Sequence, residues 1–176
     1  MNNACQITRA MLISLAGSLT AACAGAQQTP TITPVAEDLS GPWGVAPMPG
    51  GGLLVTEKAG RLLHIKDGAR NEVTGLPEIA VVGQGGLLDI TLARDFDTSR
   101  TLFLTYATPQ QGGGAGTALA SARLSDDAKR LEEVTELFAM KPGSSGGQHF
   151  GSRVVEAPDG TLLVTIGERG NRPSAQ

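Results

Sequence analysis

Pro49-Gly50-Gly51-Gly52-Leu53-Leu54-Val55-Thr56 and Pro158-Asp159-Gly160-Thr161-Leu162-Leu163-Val164-Thr165 agree at six of eight positions without a gap, 109 residues apart. Pro and Gly set a turn, and the apolar run with a closing threonine that follows is suited to a strand. Between them, Asp95-Phe96-Asp97-Thr98-Ser99-Arg100-Thr101-Leu102-Phe103-Leu104-Thr105-Tyr106 is a degenerate third copy, a turn followed by Leu-x-Leu-Thr. Taking Leu53, Leu102 and Leu162 as equivalent gives spacings of 49 and 60 residues. That is the length of a four-stranded propeller blade with long loops.

The flanking sequence agrees. Residues 53–57 and 61–65, separated by Lys58-Ala59-Gly60, make a hairpin. Residues 86–92 read as the strand before the middle copy, 119–124 as the one after it, and 153–157 as the strand that precedes the third. Only 126–140 has a helix-compatible composition, and its 132–138 stretch fits equally well a strand charged on one face. The expected fold is all-β, a β-propeller of four-stranded antiparallel blades, of which the chain supplies about three. Three blades leave unpaired edges and a half-exposed core. We therefore expect the front part of a longer protein, the alternative being a homodimer.

Composition supports that class. The chain has 24 glycines and 3% aromatic residues, with β-branched residues in short clusters, as expected for many tight connections. Its 176 residues suffice for one ordinary domain with a core. The net charge is −3, and the basic residues are scattered without a run or interleaved aromatics, which argues against nucleic acid as a partner.

The N-terminus reads as an export signal. Arg9 is the only charge before Glu37, an apolar run over 11–17 follows, and Ala24-Gly25-Ala26 fits a small-x-small cleavage site before Gln27. The apolar run is too short to span a bilayer. The alternative to cleavage there is lipid anchoring at Cys23, after Leu19-Thr20-Ala21-Ala22. The expected organisation is a signal peptide over 1–26, an extended lead-in over 27–38 and a partial propeller over 39–176, in a periplasmic or secreted protein. Both cysteines, Cys5 and Cys23, fall in the signal, so the mature chain has no disulfide.

Several motifs invite a chemical reading. Gly143-Ser144-Ser145-Gly146-Gly147 satisfies G-x-S-x-G, yet Met140-Lys141-Pro142 precedes it and glycine-rich sequence follows, so the strand and helix of a nucleophile elbow are lacking. Asp95-x-Asp97-x-Ser99 begins like a calcium loop but has Arg100 and Tyr106 where glycine and a bidentate carboxylate are needed. Residues 112–116 lack the lysine of a phosphate loop. Gln84, between glycines ahead of a strand, either hydrogen-bonds a flat ligand or simply caps the strand. His64 alternates with leucines and reads as structural. His149 lies in a glycine-rich loop where a neutral imidazole could accept a proton, although a lone loop histidine is more often a surface residue. No second histidine or cysteine stands at metal-ligand spacing, which argues against zinc.

Taken in order, Pro42-Trp43-Gly44, Gly83-Gln84-Gly85-Gly86-Leu87-Leu88, Asp95-Phe96 with Leu102-Phe103-Leu104-Thr105-Tyr106, and His149-Phe150-Gly151-Ser152-Arg153 through Gly167-Glu168-Arg169-Gly170 resemble the soluble PQQ-dependent sugar dehydrogenases, the glucose/sorbosone dehydrogenase family. The resemblance runs from about Leu39 to the C-terminus. It implies a six-bladed propeller that binds pyrroloquinoline quinone (PQQ) and calcium in the periplasm and oxidises aldose sugars, passing electrons to an external acceptor. It places the catalytic base at His149 and an active-site glutamine at Gln84. The residue beside the histidine, acidic in some relatives, is Gln148 here. It also implies that the cationic groups gripping the cofactor lie in later blades, so that this polypeptide alone is inactive. The alternative function is an exported propeller that binds carbohydrate or protein without catalysis.

Overall fold

The computed structural model describes residues 30–111 and 113–175; the expected export signal, both cysteines and Gly112 lie outside them. The described residues from Pro34 onward form one compact unit. Strands β1 (Pro42–Pro47), β2 (Leu53–Glu57), β3 (Arg61–Lys66) and β4 (Ala69–Val73) form an antiparallel meander in sequence order. A second meander contains β5 (Leu87–Leu92), β6 (Thr101–Pro109), β7 (Ala115–Leu124) and β8 (Leu131–Ala139), with a single helical turn, α1 (Phe96–Ser99), between its first two strands. A hairpin of β9 (Gly151–Glu156) and β10 (Leu162–Ile166) begins a third. The third repeat therefore contributes two strands among the described residues.

The ambiguous segment at 126–140 resolves as a strand. β8 pairs with β7 through Leu119↔Phe138, Ser121↔Thr135 and Arg123↔Glu132, and Arg123 Nη1 donates to Glu132 Oε2 at 2.8 Å. Its charged, exposed outer position is what discourages edge-to-edge pairing. Two strands escape the pattern of the sequence. β1 is punctuated by Pro42, Gly44 and Pro47, and its prolines fall at the first and last strand positions, where a missing N–H costs little. β4 is exposed apart from Val73, with Arg70, Asn71 and Glu72 at its centre, and pairing with β3 rather than its own composition makes it a strand.

The main core lies between the two meanders. Leu54, Leu62 and Val73 of the first pack with Leu87, Ile90, Leu102, Leu104 and Tyr106 of the second, where Ala118, Ala120 and Ala122 of β7 leave room for the larger side chains. A smaller cluster of Leu88, Ala107, Ala115 and Phe150 joins the second sheet to the third.

The first strand of each sheet carries a bulge, and in each case two residues face one threonine. Trp43 and Gly44 face Thr56, Leu88 and Asp89 face Thr105, and Ser152 and Arg153 face Thr165. The extra residue leaves an N–H without a ladder partner, and the threonine hydroxyl accepts it. Gly44 N donates to Thr56 Oγ1 at 2.8 Å, Asp89 N to Thr105 Oγ1 at 3.0 Å and Arg153 N to Thr165 Oγ1 at 3.0 Å. The same hydroxyl then donates to the bulge of the next sheet, Thr56 to Leu88 O at 2.5 Å and Thr105 to Ser152 O at 2.7 Å. Gly44 suits this seam because a Cβ there would stand 3.0 Å from Leu88 O. Thr56 and Thr105, which close the first two repeats, are thus the clasps between neighbouring sheets.

Thr105→Val keeps the shape of the side chain but strands the buried Asp89 N–H and Ser152 carbonyl, and should cost about 1–3 kcal/mol. Thr165 is exposed, and Thr165→Val should stay within about 0.5 kcal/mol. Urea unfolding of the two variants checks the contrast; equal costs would remove the clasp from the account.

Candidate active site

Three segments converge at one end of the β9–β10 hairpin: residues 83–84 ahead of β5, residues 147–150 ahead of β9, and residues 167–170 after β10. The hairpin register explains the last two. Gly151 pairs with Ile166 and Gly167 N donates to Phe150 O at 3.3 Å, so one further step out places His149 opposite Glu168. Gly83 admits the first segment. Its φ is +57°, and a Cβ there would overlap Gly147 O, which allows Gln84 N to donate to Gly147 O at 2.7 Å.

Gln84 neither caps its strand nor stands free. Its Oε1 accepts the N–H of His149 at 2.8 Å, so two candidate residues 65 positions apart are joined directly. The carboxamide NH2 remains as the end that can donate to a ligand. Gln148 is exposed, with its side-chain amide against Gly170.

His149 has φ +55° and a half-exposed side chain. Its Nδ1 lies 2.5 Å from Glu168 Oε1. That carboxyl is held below its ordinary value first by the hydrogen bond to the imidazole and then by backbone N–H donors, among them Gly170 N at 3.1 Å. An ionised carboxylate only accepts, so this contact assigns a proton to Nδ1, and in the neutral imidazole it leaves the lone pair on Nε2. The arrangement is an imidazole whose free nitrogen can accept a proton, oriented by a carboxylate behind it. Neither Glu168 nor its neighbour Arg169, whose Nη1 donates to the His149 carbonyl, carried a role in the sequence. Counting the β9–β10 hairpin outward from the strand pair would have found the first.

Below the loop, Asp89 is buried and accepts from Arg153 Nη1 and Val154 N, each at 2.9 Å, tying β5 to β9. A cavity of about 240 Å³ opens beside this pair, lined by Trp43, Asp89, Gly151, Ser152, Arg153 and Thr165.

The remaining motifs resolve as structure. His64 sits half-buried in β3, and burial, followed by Lys66 and Arg100, lowers its pKa. Ser144 bridges Ala115 through both backbone groups, and the element that follows Ser145, the serine of the G-x-S-x-G match, is strand β9 rather than a helix. Asp95 Oδ1 accepts from Ser99 Oγ at 2.9 Å within a local turn. Among the described residues no group of three His, Cys, Asp or Glu could hold a metal ion.

Residues 39–176 match the model of the Glucose / Sorbosone dehydrogenase family. The chain is 38% identical over 168 residues to the aldose sugar dehydrogenase YliI of Escherichia coli, an alignment covering 94% of this chain and 44% of that protein. Among solved structures it is similar to a glucose dehydrogenase, with 41% identity, a TM-score of 0.80, and coverage of 84% of this chain and 47% of the other. It is also similar to the PQQ-bound form of an aldose sugar dehydrogenase from Streptomyces coelicolor, with 26% identity, a TM-score of 0.68, and coverage of 78% and 41%. The chain thus spans less than half the length of these relatives.

The pair of His149 and Glu168 has a defined pH signature. Because Glu168 titrates below its ordinary 4.5 in the folded state, its stabilising contribution is complete above that value and is lost as pH falls through the lower, folded-state value. The stability difference between the wild type and Glu168→Gln, read by urea unfolding, should be present at neutral pH and fade in acid. A difference independent of pH would contradict an ionised Glu168.

Proposed function

Because this chain belongs to the glucose/sorbosone dehydrogenase family of PQQ-dependent soluble sugar dehydrogenases, we propose that it carries the general base of a PQQ-dependent oxidation of aldose sugars at C1 to lactones. The observation that supports the reading is the contact of His149 Nδ1 with Glu168, which leaves Nε2 as an open base on a half-exposed ring. In this reading Nε2 takes the proton of the C1 hydroxyl, and the carboxylate of Glu168 stabilises the imidazolium that results. PQQ, when bound, supplies the acceptor for the hydride that leaves C1. Gln84 retains its NH2 as a donor, and the exposed carboxamide of Gln148 is a second neutral contact for cofactor or sugar.

This donor set fits one wall of a quinone site. A tricarboxylated cofactor needs cationic partners as well, and the guanidinium groups nearest the loop are already engaged, Arg169 with His149 O and Arg153 with Asp89. We therefore assign the activity to a protein that adds the remaining length of the relatives and closes a six-bladed propeller, with the 176-residue chain inactive alone. Calcium would draw its ligands mainly from that remainder. Export to the periplasm by residues 1–26, or anchoring at Cys23, and delivery of electrons to an external acceptor complete the proposal.

In a full-length protein built on this chain, His149→Ala should leave PQQ binding largely intact and lower aldose oxidation, read with an artificial electron acceptor, by about 10²–10⁴-fold. Undiminished turnover would place the base elsewhere.

A further inference from the structure

Arg169 is nearly fully buried, at 4% exposure, and all its hydrogen-bond partners are neutral. Nη1 donates to the carbonyl of His149, Nη2 to Thr117 Oγ1 at 2.8 Å and to Met140 Sδ at 2.9 Å. The guanidinium lies 4.4 Å from the centre of the Phe150 ring, its Nε has no partner, and burial lowers its pKa. A buried cation whose hydrogen bonds all go to neutral groups is expensive, the charge of the adjacent Glu168 offsetting only part of the effect of burial, and an apolar side chain of similar length would fill the same space.

We propose that Arg169 is a positioning residue that holds His149 in the conformation placing Nδ1 on Glu168. This deepens the reading of His149 as the base and takes its functional meaning from that reading, while its geometry can be tested without turnover. The backbone of His149 is in the left-handed region, at φ +55°, which is uncommon for an L-residue with a Cβ. Each polar group of the residue is gripped by a different side chain. Gln84 accepts from its N–H, Arg169 donates to its carbonyl and Glu168 meets its ring. Of these three, Arg169 alone is buried below the loop.

The forked head explains why arginine serves here. One arm takes the His149 carbonyl while the other takes Thr117 Oγ1, and the Thr117 hydroxyl in turn donates to Phe150 O at 2.7 Å. Two successive carbonyls are thereby fixed to β7. A lysine, with a single terminal nitrogen on a flexible stem, cannot reproduce both arms with the same orientation.

The test is ¹⁵N NMR of the histidine side chains in the cofactor-free protein. His64, far from the loop in sequence and assigned through His64→Gln, serves as the internal control for folding. The wild type should show His149 as the Nδ1–H tautomer, with a slowly exchanging Nδ1 proton. In Arg169→Lys and Arg169→Met the His149 ring should shift to the Nε2–H tautomer favoured by free imidazole, with exchange at least about tenfold faster, while the His64 signals stay in place. If Arg169→Met fails to fold, Arg169→Lys carries the test alone. Retention of the Nδ1–H tautomer in a folded variant, even one with a lowered Tm, would reduce Arg169 to a packing role and overturn the proposal. The outcome is separable from that of His149→Ala: loss of turnover there combined with an unchanged tautomer in Arg169→Lys would keep the base and discard the positioning residue.

Discussion

The architecture depends on one hydroxyl in each of the first two sheets serving two backbones. A bulge in the first strand leaves a buried N–H that no ladder can satisfy, and Thr56 and Thr105 accept it while donating to the bulge of the neighbouring sheet. Burying such groups unpaired would be costly. At the two buried seams the bulge and the clasp therefore occur together. Asp89 reinforces the second seam by holding Arg153 and Val154, so that β9 is located by polar contacts as well as by the apolar cluster around Phe150.

The candidate site inherits its position from that seam. β9 starts at Gly151, two residues beyond His149, and the Thr105 clasp lands on Ser152. Whatever fixes the bulge of β9 fixes the root of the loop above it. The loop itself is then shaped by side chains from both neighbours in space: Gln84 from the approach to β5, Thr117 from β7, and Glu168 and Arg169 from the exit of β10. A functional group on a loop is thus held by contacts from several ordered elements.

Much of this was readable in advance, and the failures have physical causes. The recurring Pro-x-Gly-x-Leu-Leu-Val-Thr located β2 and β10 because turn chemistry and strand-forming residues coincide there. β1 was hidden by its prolines, and β4 by a polarity that only pairing with β3 overrides. Thr56 and Thr165 stood in the repeat as matched letters, yet their function needed the bulge, which is a property of paired backbones. Gln84 and His149 were singled out as candidates, but their mutual bond spans 65 positions and no local pattern encodes it. Glu168 was within reach of the hairpin register. Arg169, between Glu168 and Gly170, carries no sequence signal of burial, and only its packing on Phe150 reveals it.

The clasps also change what opening the structure means. In an ordinary ladder an amide can be freed by fraying of its own strand, and its exchange with solvent reports that strand alone. The Gly44 and Asp89 amides rest on hydroxyls that are simultaneously engaged with the next sheet. Exposing either amide therefore disturbs a neighbour, and the sheets are coupled as adjacent members of a one-dimensional array. Their exchange would measure separation between sheets, giving each seam its own reporter in a fold whose sequence advertises only the strands.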